Sequence, residues 1–292
     1  MHAFFQLCCA TAVALSLPGA SSAGAKTLNI VAAENFYADI AAQIGGESVS
    51  TRAILTNPDQ DPHLFEASPS VASDLQSADL VILNGAGYDE WMAKLLAATP
   101  QSTRQTLNVG MLTGAKNGDN PHLWYDLARI DATAREIAAR LSALDPANTA
   151  QFAANLAKFT VSLADVRGRI DRFTAAHAGA EIIASEPVFG YMASALNLKM
   201  HGEKFALAIM NNSEPAVSDV AGFESDLTSH RVAALLFNAQ ASSPTVDRLK
   251  SVALAAHIPI VAITETEPAG MSYQTWMTSQ LDALDKALSA PK

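Results

Sequence analysis

The sequence predicts an α/β protein of two lobes, each with a parallel sheet flanked by helices, joined by one long helix. Three observations predict it. Short apolar runs alternate with helically spaced segments between residues 28 and 84, an extended helical pattern fills 147–176, and the strand–helix alternation then restarts. An N-terminal lobe at 26–146 and a C-terminal lobe at 177–292 follow, with 147–176 between them.

Residues 1–25 contain no Asp, Glu, Lys or Arg, and 7–17 is an apolar run ending at Pro18-Gly19. That run is about half the ~20 residues a membrane-spanning helix needs. Ala23-Gly24-Ala25 has the small-x-small pattern of a cleavage site, so 1–25 reads as a signal peptide and Lys26 as the start of the mature chain. The about 270 residues that remain suit two lobes of ordinary size. Both cysteines, Cys8 and Cys9, fall in the leader, which excludes thiolate chemistry from the mature protein. Neither follows a Leu-small-small spacing, so no lipid anchor is expected.

The run 28–33 is a short buried strand, and 34–44 is a helix with Phe36, Tyr37, Ile40, Ala41 and Ile44 at helical spacing, stopped by Gly45-Gly46. A second strand lies at 49–55, and a helix at 69–78 leads into a third strand at 79–84, whose carboxyl end is Gly85. From Asp131 the pattern turns helical. Beyond Asp145-Pro146, residues 147–176 hold no proline and only Gly168, while Phe152, Leu156, Phe159, Leu163, Val166 and Ile170 keep a beat of three or four. Strands then fall at 181–184, 233–237 and 258–264, with helices such as 188–196 and 244–256 between them.

The net charge of −10 argues against nucleic acid as a partner. Beyond the leader no uninterrupted apolar run approaches membrane-spanning length. Open parallel sheets bind ligands at the carboxyl ends of their strands, so the informative residues follow each strand. After the second strand comes Asp61-Pro62-His63-Leu64-Phe65-Glu66, and a later loop repeats the pattern as Asn120-Pro121-His122-Leu123-Trp124-Tyr125-Asp126. The whole chain has only seven histidines, which makes the repeated Pro-His-Leu-aromatic arrangement informative. Proline restrains the backbone before each imidazole, so little freedom is left to lose on binding, and a preorganised neutral imidazole suits a transition metal.

Together with Ser185-Glu186-Pro187-Val188-Phe189-Gly190-Tyr191 and the acidic stretch Glu265-Thr266-Glu267, these motifs make the chain from Lys26 onward resemble the metal-specific solute-binding proteins of ABC transporters. The resemblance implies a rigid linking helix, a metal site between the lobes, and a divalent transition metal as cargo: zinc or manganese, with iron as a third option. It implies His63 and His122 as ligands from the first lobe, and from the second Glu186 and an acid at the end of the last strand. Glu265 follows that strand directly; Glu267 is the alternate, since strand geometry would put both side chains on one face. It also implies a membrane permease as partner, a periplasmic location and a monomer. Two departures stand out. Many zinc-binding members place His where Glu186 stands, and Glu makes the site harder, toward manganese, although intrinsic affinity still rises toward zinc. The His-rich loop of many zinc members has no counterpart in 111–120.

The other histidines, His177, His201, His230 and His257, read as surface or capping residues, and Trp91, Trp124 and Trp276 as packing groups, with Trp124 also able to wall the site. Asn84 and Asn238 end strands, where they could orient ligands. Glu214 reads as a residue near a helix start or an inter-lobe contact. Two other functions compete. A metallohydrolase is disfavoured because neither a His-Glu-x-x-His helix nor a Gly-x-Ser-x-Gly elbow is present, so no enzymatic activity is expected. A surface adhesin-like interaction protein remains as a second role.

Overall fold

A computed structural model describes residues 27–57, 65, 68–241 and 243–290. The signal-peptide reading of 1–25 and the candidate ligand His63 lie outside these described residues. In chain order the elements are β1 (Leu28–Glu34), α1 (Asn35–Gly45), β2 (Val49–Leu55), α2 (Pro69–Ser77), β3 (Leu80–Leu83), α3 (Glu90–Ala98), β4 (Gln105–Asn108), α4 (Val109–Thr113), α5 (Leu127–Leu144) and α6 (Thr149–His177). They continue with β5 (Glu181–Ala184), α7 (Gly190–Ala195), β6 (Lys199–His201), α8 (Glu203–Met210), α9 (Val217–Thr228), β7 (Ala234–Asn238), α10 (Pro244–Ala255), β8 (Ile260–Ile263) and α11 (Tyr273–Ser289).

Two four-stranded sheets form, β2-β1-β3-β4 and β6-β5-β7-β8, and every pairing within them is parallel. The two-lobed α/β expectation is therefore met, each sheet having helices on its faces. Strands β4 and β6, which the alternation did not reveal, are the short edge strands Gln-Thr-Leu-Asn and Lys-Met-His, in which water meets most side chains. The central strands β1 and β3 are buried on both faces, and this is why they read as continuous apolar runs.

The linking helix α6 is the long helix that the 147–176 pattern predicts. It starts at Thr149, because Pro146–Asn148 forms a separate short turn, and it ends at His177. Its buried stripe Phe152, Phe159, Leu163, Val166 and Phe173 packs onto α1, α5 and α11. The C-terminal α11 also touches α1 of the first lobe.

One contiguous core includes residues of both sheets, from Ile30 and Leu80 to Ile182 and Leu236. Its middle is aromatic. Phe36 lies 4.7 Å from Trp124 and 5.7 Å from Trp276, while Tyr125 lies 5.3 Å from Phe189 and 5.8 Å from Trp276. Rings from α1, from the loop after His122, from the second lobe and from α11 thus interlock under the cleft. Separating the lobes widely would expose this cluster, so only small relative shifts leave the core intact.

Candidate metal centre

The first-lobe histidine is set by its own motif. His122 is fully buried, and its main-chain N–H donates to Asn120 Oδ1 at 3.1 Å. The same oxygen lies 2.6 Å from His122 Nδ1. Asn120 Nδ2 is already committed to the Pro187 carbonyl at 2.7 Å, so the amide can only turn its oxygen toward the ring. Nδ1 therefore carries the proton and Nε2 presents its lone pair, the tautomer a metal requires. Pro187 follows Glu186, so the tautomer of a first-lobe residue is held by second-lobe backbone. Tyr191 Oη adds a bond to the Asn120 carbonyl at 2.9 Å. Asn84 braces the same loop by donating to the Pro121 carbonyl at 2.8 Å while accepting from Tyr37 Oη at 2.8 Å. It supports main chain rather than a ligand side chain.

The second-lobe carboxylates stand at strand ends. Glu186 lies two residues past β5 in extended conformation and is 3% exposed. Glu265 lies two residues past β8 and is fully buried. Asn238, the last residue of β7, joins them: its Nδ2 donates to Glu186 Oε2 at 3.2 Å and to Glu265 Oε1 at 2.5 Å. Glu265 Oε2 accepts from Tyr88 Oη at 2.8 Å and lies 3.5 Å from His122 Nε2. Asn238 therefore ties the two buried carboxylates together, and His122 Nε2 faces Glu265 from the first lobe. Among the described residues no three His, Cys, Asp or Glu side chains gather closely enough to hold an ion. The two carboxylates are linked through Asn238 rather than clustered with His122 round a point.

Strand alternation does not relate Glu267 to Glu265, because β8 ends at Ile263, before either glutamate. The Glu267 main chain is clasped by Asn35, and its carboxyl is pushed up to about 8, first by burial and then by Asp39 of the first lobe.

Tyr88, Gln240 and Asn35 were not legible as site residues. Tyr88 reaches Glu265 from a loop whose residues Gly85, Ala86 and Gly87 all have positive φ, at 71°, 54° and 84°. Glycine at two of these three positions lets the chain turn this sharply. The Asp89 carboxylate ties the turn by accepting from the main-chain N–H of Asn84 at 2.6 Å and Gly85 at 2.8 Å. The Gly-x-Gly-Tyr-Asp pattern was the available signal. Beside Asp89, the Glu34 carboxyl is fully buried. Burial, and then the charge of Asp89, hold Glu34 well above the usual carboxylate range, while burial raises Asp89 to about 6.

The remaining histidines lie elsewhere. His177 pairs with Asp285, and His201 lies between Glu181 and Asp226. His230 and His257 follow the ends of α9 and α10 with φ of 54° and 53°, which are helix-terminating positions. Trp124 is fully buried with its ring 5.2 Å from His122, so it walls the site as well as packing. Glu214 is exposed and precedes α9.

The chain and its fold are similar to those of known proteins. The family profile of ZnuA, zinc-uptake complex component A, periplasmic, matches residues 30–287. The metal ABC transporter substrate-binding lipoprotein ScbA of Streptococcus cristatus is 26% identical, covering 94% of this chain and 93% of its own. The manganese ABC transporter substrate-binding lipoprotein PsaA of Streptococcus mitis is 27% identical, covering 92% of this chain and 91% of its own. Among solved structures, the periplasmic zinc-binding protein TroA of Treponema pallidum has the same fold with a TM-score of 0.77 at 18% identity, covering 91% of this chain and all (100%) of its own.

Proposed function

The chain belongs to the ZnuA family, and on that premise we propose that it captures one divalent transition-metal ion, zinc or manganese, between its lobes and delivers it to an ABC transporter permease. We further propose His63, His122, Glu186 and Glu265 as the ligands. The observation that carries the reading is the buried cluster in which Asn238 holds Glu186 and Glu265 together while the Nε2 lone pair of His122, in its metal-binding tautomer, faces Glu265 at 3.5 Å. His63 enters on its motif alone. The cargo is a substrate: its waters are exchanged for side chains, and the carboxylates exchange the Asn238 amide for the ion.

Two imidazoles and two carboxylates accommodate both metals, with carboxylate favouring manganese and the general affinity order favouring zinc. TroA, which shares this fold, is described as zinc-binding, and the sequence relative PsaA as a manganese ABC transporter substrate-binding lipoprotein. Competitive titration of metal-free mature protein with the two ions, on wild type and Glu186→Ala, tests the reading. One-to-one binding that is lost in the variant supports it, and failure of the wild type to bind either ion overturns it.

The family is a transport component rather than an enzyme class, and its members work outside the cytoplasm with a membrane permease. For its retention there we propose a free, monomeric periplasmic protein rather than a lipid-anchored one, because neither Cys8 nor Cys9 follows the Leu-small-small spacing of an anchored cysteine. ScbA and PsaA are named lipoproteins, so partition into detergent phase after expression with its own leader would overturn this part.

A further inference from the structure

Three consecutive main-chain N–H groups on the loop that bears Glu265 are taken up by side-chain amides. Gln240 Oε1 accepts from Glu265 N at 2.6 Å and from Thr266 N at 3.0 Å. Asn35 Oδ1 accepts from Glu267 N at 3.0 Å, and Asn35 Nδ2 donates back to the Glu267 carbonyl at 2.7 Å. Gln240 is itself fixed: its Nε2 donates to Thr266 Oγ1 at 2.8 Å, and its main-chain N–H donates to Asn238 Oδ1 at 3.0 Å. That last bond orients the Asn238 amide so that its nitrogen faces Glu186 and Glu265.

The loop needs such support. β8 is an edge strand paired with β7, and beyond Ile263 the ladder has ended. A glutamate has three side-chain torsions, so the place of its carboxylate depends on how firmly its backbone is held. Affinity for a small ion is sensitive to displacements of a fraction of an ångström. Gln240 grips from the lobe that carries Glu265, whereas Asn35 opens α1 in the other lobe.

We propose that Gln240 and Asn35 are positioning residues for the metal, gripping the Glu265 loop from the two lobes. Gln240 sets the pose of Glu265 and, through Asn238, of Glu186. Asn35 makes the pose of Glu265 depend on contact between the lobes, and loss of its clasp lets the carboxylate leave the ion. The inference rests on Glu265 being a ligand.

The test uses the full mature chain, with zinc affinity by competitive titration, dissociation by stopped-flow with excess chelator, and Mn(II) electron paramagnetic resonance on the loaded protein. Gln240→Met should weaken zinc binding about tenfold or more, and Gln240→Glu, which keeps the accepting oxygen, should restore it to within about threefold. The Mn(II) spectrum of Gln240→Met should show a broadened zero-field splitting. Asn35→Ala should raise the dissociation rate about tenfold with the association rate unchanged. Asn35 is only half-buried, so its variant keeps the test decisive should Gln240→Met fail to fold. Wild-type affinity and release in Gln240→Met and Asn35→Ala, while Glu265→Ala loses the metal, would overturn this inference alone; so would a Gln240→Glu as weak as Gln240→Met. Wild-type binding by Glu265→Ala would overturn the ligand reading and this inference with it.

Discussion

The two sheets have the same strand order about their central pair, yet the two lobes present their candidate ligands differently. In the first lobe His122 sits in a seven-residue motif that supplies its own orienting group: Asn120, two residues earlier, fixes the ring. In the second lobe Glu186 and Glu265 come straight off strand ends, and their orientation is supplied from afar by Asn238, Gln240, Tyr88 and Asn35. An imidazole has one metal-facing atom once its tautomer is set, so one local hydrogen bond suffices. A glutamate has two competent oxygens on a flexible stem, and its restraint must come from several directions.

The largest effect expected is that of removing a proposed ligand. Glu265→Ala and His122→Ala should each weaken zinc binding by more than the about 10–100-fold that losing a supporting hydrogen bond brings. Equilibrium competition measures this, and a smaller loss for either would remove that residue from the site. Next come the orienting amides. Asn120→Leu and Asn238→Leu should each cost about 10–100-fold. If the contrast between the lobes is right, the Asn120 variant alters the pH profile of binding, because the imidazole tautomer is no longer held, whereas the Asn238 variant lowers affinity evenly across pH. Identical profiles would erase the contrast.

A third expectation concerns stability. The Glu34 carboxyl keeps its proton in the folded protein at pH values where the unfolded chain, with its ordinary value of 4.5, has lost it. Its cost to stability is therefore absent below that value and grows as pH rises toward the folded value. Glu34→Gln should raise the midpoint of thermal unfolding of metal-free protein at pH 8 by a few degrees, for a gain of about 1 kcal/mol. The gain should disappear near pH 4, and an equal gain at both pH values would contradict the protonated assignment. The smallest effect is expected at His201, between Glu181 and Asp226. Partly exposed ion pairs contribute about 0–1 kcal/mol, so His201→Ala should leave zinc affinity unchanged and stability nearly so.

The same contrast explains what could be read from the chain. Strands β1, β3, β5 and β7 were visible because double-sided burial writes an apolar run, whereas β4 and β6 are edge strands too short and too polar to leave a pattern. The His122 motif was visible because the residue that orients its ring, Asn120, lies only two positions away. Tyr88 and Asn35 were not, because their roles arise from contacts spanning 177 and 232 positions, and no local rule registers such pairs. Sequence alone does not separate Glu265 from Glu267 for a related reason: the alternation that would put both on one face stops at Ile263, before either residue.

The bond from Asn120 to the Pro187 carbonyl bears on how such proteins can be recombined. Each sheet with its helices looks like an exchangeable module, and a hybrid joining the first lobe of this chain to the second lobe of a distant relative would inherit a complete donor set. It would inherit the partner of Asn120 only if the foreign loop returned a carbonyl to the same place. Where it did not, only the His122 main-chain N–H would still hold the Asn120 amide, and the imidazole tautomer would be fixed less firmly. Such a hybrid would fold and carry every ligand yet bind zinc weakly, and crossover points for a working one would have to keep 120–122 and 186–191 from the same parent.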